Sequence, residues 1–406
     1  MRLKDIAYIN PAYTGPDLGD QLVSFSPMEC LRYDSLKPIT ISFSEAKGKY
    51  TFFKDNDILF AKVTPCFENQ NIAIANNLVN GIGFGSSEIN VLRLKSDASL
   101  RYMFYVICSN RFYNTGCSSM CGVGGLKRIN PRAVSTFEFT MPSLTEQEAI
   151  AAYLDKECEK IGRKIELLER KAYAYSRLRR SLINRAVTRG LDPNVSLKPS
   201  GNNWIGDIPQ HWTIKRNKNI LIERKDIVGE DHSFKLLSLT LNGVIIRDLD
   251  AGGKFPAEFS SYKIVSPNNL IFCLFDVDET PRTIGLSSHS GMITGAYDIF
   301  DVNLSIAIPQ WVYYFYFAID QRKALKPFYT GLRKVVKTQK FADIHIPIPS
   351  IKEQKTIVAY LDEKCAKIDA ILEKINTEVE RLKELKRSLI NEVVTGQRAI
   401  DTESRS

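Results

Sequence analysis

The residues best suited to chemistry in this chain are cations and amides placed beside glycines. Gly122-Val123-Gly124-Gly125-Leu126-Lys127-Arg128 sets two bases after a glycine-rich run, and Gly331-Leu332-Arg333-Lys334-Val335 mirrors it half a chain later, with Lys337 and Lys340 following. Such side chains neutralise phosphates, and a guanidinium fork also pairs with the two acceptors of a guanine edge. Lys62-Val63-Thr64-Pro65 leads into Asn69-Gln70-Asn71, whose amides match the N6/N7 edge of adenine. Taken singly, each residue reads as solvated surface. As a set, with Arg322, Lys323 and Lys326 beside the second loop and a formal net charge of +9, they favour a nucleic-acid partner. The candidate DNA-binding residues are Lys62, Thr64, Asn69, Gln70, Lys127, Arg128, Arg333, Lys334, Lys337 and Lys340.

Catalytic patterns are weaker. Asn10-Pro11-Ala12-Tyr13 is similar to the Asn-Pro-Pro-Tyr loop of amino-methyltransferases, but it lacks the second proline. Gly81-Ile82-Gly83-Phe84-Gly85 is the one glycine run that suggests a cofactor loop, and no acidic ribose ligand follows it in a βαβ context. The chain has no Gly-x-x-x-x-Gly-Lys-Ser/Thr phosphate loop. Glu45-Ala46-Lys47 and Asp276-Val277-Asp278-Glu279 are fragments of a nuclease pattern and read as solvated acidic loops. No Ser/His/Asp arrangement can be singled out. The eight cysteines are scattered, with only Cys117 and Cys121 close together, and the four histidines lie far from that pair. Metal ligation is disfavoured, and the chain reads as non-catalytic, with no catalytic, cofactor or metal residues of its own.

The loops need a scaffold, and the chain provides one twice. Pro142-Ser143-Leu144-Thr145-Glu146-Gln147 recurs as Pro349-Ser350-Ile351-Lys352-Glu353-Gln354 (349 − 142, an offset of 207 residues), and the register continues through Tyr153-Leu154-Asp155/Tyr360-Leu361-Asp362 and Cys158/Cys365. A repeat of near half the chain indicates tandem duplication. Ser143 and Ser350 are N-cap candidates, with Glu146 and Glu353 at capping-box spacing. Apolar residues then follow heptad spacing: Ile161, Ile165, Leu168, Tyr175 and Leu182 in one copy, and Ile368, Leu372, Ile375, Val379, Leu382 and Leu389 in the other. Such a seam wants a helical partner, and two copies in one chain favour antiparallel pairing with each other about an approximate two-fold axis. Roughly 45 residues at ~1.5 Å each make a rod of about 65–70 Å. The matched Cys158 and Cys365 read as small packing residues.

The expected organisation is α+β: mixed globular domains at 1–141 and 211–348, long helices at 142–189 and 349–396, a linker at 190–210 and a flexible tail at 397–406. Short β-like runs dominate the first globular domain, among them Ile39–Phe43, Tyr50–Phe53, Asp57–Val63, Ile72–Ala75 and Ile89–Leu94, followed by an amphipathic helix near 99–112. The second domain repeats the plan with strands near Leu236–Leu239 and Leu270–Phe275 and an aromatic helix around Trp311–Tyr316. The start does not read as a signal peptide and no apolar run is long enough for a membrane span, so a reduced, cytoplasmic protein is expected.

Paired Pro-Ser-x-x-Glu-Gln … Tyr-Leu-Asp helices, each after a divergent domain ending in a Gly-Leu-basic-basic loop, resemble the specificity subunit of type I restriction–modification systems. Phe60-Ala61-Lys62-Val63-Thr64-Pro65 and Ile82-Gly83-Phe84-Gly85-Ser86-Ser87-Glu88 resemble motifs of that family's target recognition domains, as does Trp204-Ile205-Gly206-Asp207-Ile208-Pro209-Gln210-His211-Trp212. The tryptophan-bearing lead has no copy before the first domain. The resemblance implies a protein that reads a bipartite site in double-stranded DNA, one half-site per domain, with the paired helices as a ruler for the gap. It further implies two methyltransferase subunits docked on the helices and restriction subunits joined through them. S-adenosylmethionine, ATP and Mg would be bound by those partners, with no cofactor in this chain. The alternatives are a non-catalytic coiled-coil scaffold, or the specificity module of another restriction-type or methylation-only system. A scaffold without a DNA role would bind no DNA, whereas phosphate contacts make binding steeply salt-dependent.

Overall fold

In the computed structural model of the chain, all residues are described except 96–97, 124, 203, 230–232, 248–258 and 401–406. Gly124 of the first basic loop and the last six residues of the expected tail therefore lie outside the described residues. Two compact units emerge: Met1–Glu169 with Asn376–Ser406, and Arg170–Ile375. The division differs from the expected domain boundaries because it cuts through the long helices. Each unit holds one globular domain and half of each helix.

The helices run unbroken over Leu144–Arg189, 46 residues, and Ile351–Val394, 44 residues. Ser143 Oγ accepts the Glu146 N–H at 3.4 Å, and Ser350 Oγ accepts that of Glu353 at 3.2 Å, as N-caps should. The carboxylate half of the expected capping box is redirected in the second copy. The Trp212 indole N–H donates to Glu353 Oε1 at 2.9 Å, and His211 Nε2 lies 2.9 Å from Oε2.

Within each unit the helices pair antiparallel. In the first, Leu154 and Cys158 share a core with Leu389, Ile390 and Val393, and Lys164 pairs with Glu378 at 3.0 Å. In the second, Ile183, Ala186 and Val187 share a core with Ile357, Val358 and Leu361, and Arg179 pairs with Asp369 at 3.2 Å. Ile368, Ile375, Val379, Leu382 and Leu389 are buried, while Ile161, Ile165, Leu168, Tyr175, Leu182 and Leu372 are half-buried. The seam is real and tighter on the second helix. Cys158 and Cys365 are buried in it, and burial pushes both thiols up.

Each globular domain carries a four-stranded antiparallel sheet of one design. In the first, the order is Ala7–Ile9, Ile89–Leu94, Ile58–Ala61, Ile72–Ile74; in the second it is Leu221–Arg224, Asp298–Val302, Leu270–Phe272, Ile284–Leu286. Central strands such as Ile58–Ala61 are buried on both faces, which explains their unbroken apolar sequence. Beyond this sheet the domains diverge. The first adds a sheet of Ile39–Ser42, Leu22–Ser26, Ile82–Gly85 and Thr51–Lys54, with a parallel pair at its centre, whereas among the described residues the second adds two-stranded ladders.

An aromatic helix lies between sheet and long helix in each unit: Leu100–Cys108 in one, Pro309–Gln321 in the other. The single helix expected near 99–112 is two, Leu100–Cys108 and Asn110–Ser118. Ser109 divides them, because its hydroxyl donates to the Val106 carbonyl at 2.7 Å and accepts the Phe112 N–H at 3.3 Å. Residues 190–210, expected as a plain linker, include the antiparallel pair Leu197–Pro199 and Asp207–Pro209, with Ile205 and Ile208 buried.

The last residue of the repeated motif fastens the aromatic helix to the long one. Gln147 and Gln354 are almost wholly buried. Gln147 Oε1 accepts the Ser99 N–H at 2.9 Å, and Gln354 Oε1 accepts the Ile308 N–H at 2.9 Å. Their amide nitrogens donate to Pro142 and Pro349 carbonyls at 2.9 and 3.0 Å, and Gln354 also donates to Ile306 at 3.0 Å. About two turns further along the long helix, Tyr105 donates to Asp155 at 2.6 Å and Tyr314 to Asp362 at 2.5 Å. Burial, then the facing carboxylate, pushes both phenols far above their usual range, so they remain donors.

Replacing Gln354 by Leu strands one buried N–H and two carbonyls, and each orphaned group costs ~1–3 kcal/mol. Urea unfolding of Gln354→Leu should show a stability loss of about 2 kcal/mol or more. An unchanged midpoint would mean that the clamp contributes little.

Candidate nucleic-acid interface

The two basic loops are built alike. In the first unit, strand Ile58–Ala61 runs into Lys62-Val63-Thr64, and the Thr64–Pro65 peptide is cis. The Thr64 N–H donates to the Lys127 carbonyl at 2.9 Å, and the Ile129 N–H donates to that of Lys62 at 2.9 Å. In the second unit, Asp276 N–H donates to Arg333 at 2.9 Å and Val336 N–H to Leu274 at 2.8 Å. The same two-bond suture thus holds Lys127 and Arg333. One extra residue lies between the bonds in the second loop, and Lys334 takes it up at φ +47°.

Each loop closes on itself as well. Cys121 and Arg128 exchange backbone bonds of 3.0 and 2.9 Å, and Thr330 and Val335 exchange bonds of 3.0 and 3.2 Å. The glycines fix these turns: Gly125 and Gly331 sit at φ +84° and +76°, and a Cβ on Gly122 would meet the Leu126 carbonyl oxygen at 2.3 Å.

The predicted residues separate into two groups. Lys127 and Arg333 are exposed, and neither has an ion pair among the described residues. Lys337 and Lys340 are exposed at the short helix Thr338–Ala342. Asn69 is exposed beside a cleft of about 710 Å³ in the first unit, lined also by Asn110, Tyr113, Lys383 and Lys386. Lys62 is half-buried. The others are occupied internally. Thr64 Oγ1 donates to the Gly125 carbonyl at 2.7 Å and accepts the Lys127 N–H at 3.0 Å. Gln70 donates to the Cys108 carbonyl at 3.3 Å from a backbone at φ +53°. Arg128 forks onto Glu88 at 2.7–3.1 Å, which holds that carboxyl below its usual range and raises the guanidinium further. Lys334 pairs with Glu279 at 2.6 Å and Asp278 at 3.2 Å, and these bonds push its ammonium well up. Lys323 likewise bonds Asp320 at 2.7 Å, and Lys326 lies 3.9 Å from Asp278.

The acidic segment Asp276–Glu279 is therefore a brace for a basic loop rather than a solvated run, since the Asp278 side chain is 12% exposed. The other look-alikes also have structural employment. Asn10 bonds Asn90 and the Val91 N–H, and Tyr13 packs edge-on against Phe43 and Phe52. Gly83 and Gly85 lie within strand Ile82–Gly85, where a Cβ on Gly83 would strike the Phe53 ring at 2.2 Å. Trp212 is buried edge-on to Trp311 at 5.5 Å, so the tryptophan-bearing lead anchors the second domain to its long helix. The clamping role of Gln147 and Gln354 is the functional feature that sequence reasoning missed, although their exact recurrence at one offset was the available signal.

Among the described residues no helix is long and apolar enough to cross a membrane, and no acidic, histidine or cysteine cluster suits a metal ion. Residues 4–170 and 298–381 match the family described as the type I restriction modification DNA specificity domain. Two similar proteins are the type I restriction enzyme EcoEI and EcoAI specificity subunits of Escherichia coli. They are 37% and 38% identical over 158 and 152 residues, which cover 38% and 36% of this chain. The chain spans about a quarter, 26%, of the length of each. The MjaVIII specificity subunit of Methanocaldococcus jannaschii is 23% identical over 73% of this chain and 69% of its own. A solved structure described as "Structural basis underlying complex assembly and conformational transition of the type I R-M system" shares the fold, with a TM-score of 0.73, 14% identity and coverage of 98% and 97%. With more than half of its residues matched to that family's domain, the chain belongs to the type I restriction modification DNA specificity family.

Proposed function

We propose that this chain is the specificity subunit of a type I restriction–modification complex and reads a bipartite site in double-stranded DNA. Each globular domain takes one half-site. The observation that carries this reading is the sutured loop, made twice on domains that diverge beyond their common sheet and aromatic helix, with Lys127 or Arg333 exposed and uncompensated among the described residues. Repeating a presentation device while changing its surroundings suits two readers of different sequences. Each long helix contributes residues to both units, and we take its length, at ~1.5 Å per residue, as the ruler for the gap.

The chain supplies recognition, and its partners supply chemistry. Two methyltransferase subunits dock on the helices and transfer a methyl group from S-adenosylmethionine to adenine N6 after flipping the base. Restriction subunits, which use ATP and Mg, join through them. The internal employment of Asn10, Gly83 and Asp278 supports a non-catalytic chain, as does the helix-to-domain clamping that makes the scaffold rigid. The complex works in the cytoplasm, where DNA is its substrate.

Methylation mapping in cells tests the reading. N6-methyladenine should appear at one split motif when the chain and its methyltransferase subunits are expressed together, and at none when either is absent. An intact complex that marks no split motif would overturn it.

Salt dependence tests the assignment of cations. Lys127→Ala and Arg333→Ala should each lower the slope of log K against log salt by about one. Glu88→Gln, which releases Arg128 from its acid, should leave the slope unchanged or steepen it by up to about one. A slope untouched by Lys127→Ala and Arg333→Ala would remove those residues from the interface.

A further inference from the structure

The residue ahead of each uncompensated cation is leucine, and both leucines face solvent. Leu126 is 57% exposed and Leu332 is 102% exposed. A single exposed leucine needs no explanation on a protein surface. Here the same residue occupies the same position in two loops whose lengths and bracing acids differ. Leu126 follows Gly125 at φ +84° and precedes the sutured Lys127; Leu332 follows Gly331 at φ +76° and precedes the sutured Arg333. Each loop is closed at its base by its own pair of backbone bonds. Exposed Val123, on the first loop, has no counterpart in the second.

We propose that Leu126 and Leu332 are wedge residues that enter a base step of their respective half-sites and partly unstack it. The inference rests on the DNA-reading function proposed above and deepens it. An exposed apolar side chain gains nothing in water, but it is sheltered between bases, where leucine is among the side chains that serve as wedges. The neighbouring cation lies one residue away to hold a phosphate and register the wedge. Such a device reads the deformability of a step rather than base edges, which allows divergent domains to share it. The internal pairing of Arg128 and Lys334 fits this division of labour, because it stiffens the loop and leaves one cation and one leucine to meet the duplex.

The test uses the full chain with its methyltransferase subunits and a duplex carrying the split site found by methylation mapping. 2-Aminopurine replaces single bases in turn, away from the methylated adenine, and anisotropy follows binding in parallel. The wild-type complex should raise 2-aminopurine fluorescence at one step in each half-site. Leu126→Ala should abolish the rise in one half-site only and Leu332→Ala in the other, whereas Val123→Ala should abolish neither and Leu126→Met should restore it. Site-specific, salt-dependent binding with fluorescence at the free-duplex level, or a rise that both alanine variants keep, would overturn the wedge and leave the reader intact. Absence of any site-specific binding would remove the reading itself, and the wedge with it.

Discussion

In each unit a buried glutamine ties the start of the aromatic helix to the long helix. Gln147 and Gln354 face the start of an aromatic helix, where backbone N–H groups have no partner within the helix itself. By accepting one of those groups and returning its own N–H to the proline carbonyl ahead of its helix, each glutamine locks two elements in a single geometry. A buried amide left half-satisfied is costly, so the arrangement tolerates little sliding. In the second unit the need is greater, because Ile308 offers no side-chain cap and Gln354 donates twice. Tyr105–Asp155 and Tyr314–Asp362 extend the grip by about two turns. Contacts at two levels along a helix restrain a domain from swivelling on it, which suits the reading role proposed above.

The presenting loops follow the same logic with other chemistry. Backbone sutures set where Lys127 and Arg333 emerge, and acids elsewhere in the domain absorb the charge next to them. Glu88 does this in the first unit and Asp278 with Glu279 in the second, from different places in the chain. The result is similar while the means are not. Constraint therefore falls on the position of a loop, and freedom falls on the residues around it.

Much of this was legible in the sequence. The offset repeat exposed both helices, their heptad seam and their antiparallel pairing, because burial along a helix leaves a periodic trace. Strands such as Ile89–Leu94 were visible as apolar runs for the same reason. What escaped depends on contacts between residues far apart. Arg128 looked as available as Lys127 until Glu88, 40 residues earlier, was found beside it. Thr64 and Gln70 carry polar atoms that suit a base edge, yet both are consumed by backbone groups across the fold. The motif glutamines were overshadowed by the adjacent glutamates, whose capping spacing is a local pattern, whereas the partners of Gln147 and Gln354 include N–H groups over 45 residues away. Ser109 divides a helix that apolar spacing alone would continue, since its hydroxyl competes for the backbone at that point.

Under the proposed function, the length of the long helices sets the distance between half-sites. One heptad inserted into each long helix, after Glu169 and after Ile375 where the compact units meet in sequence, tests it most directly. Seven residues add ~10 Å, or about three base pairs of DNA. Methylation mapping of cells carrying the lengthened chain should return the two original half-sites with a gap longer by about three base pairs. An unchanged gap, or a change in either half-site, would contradict the account.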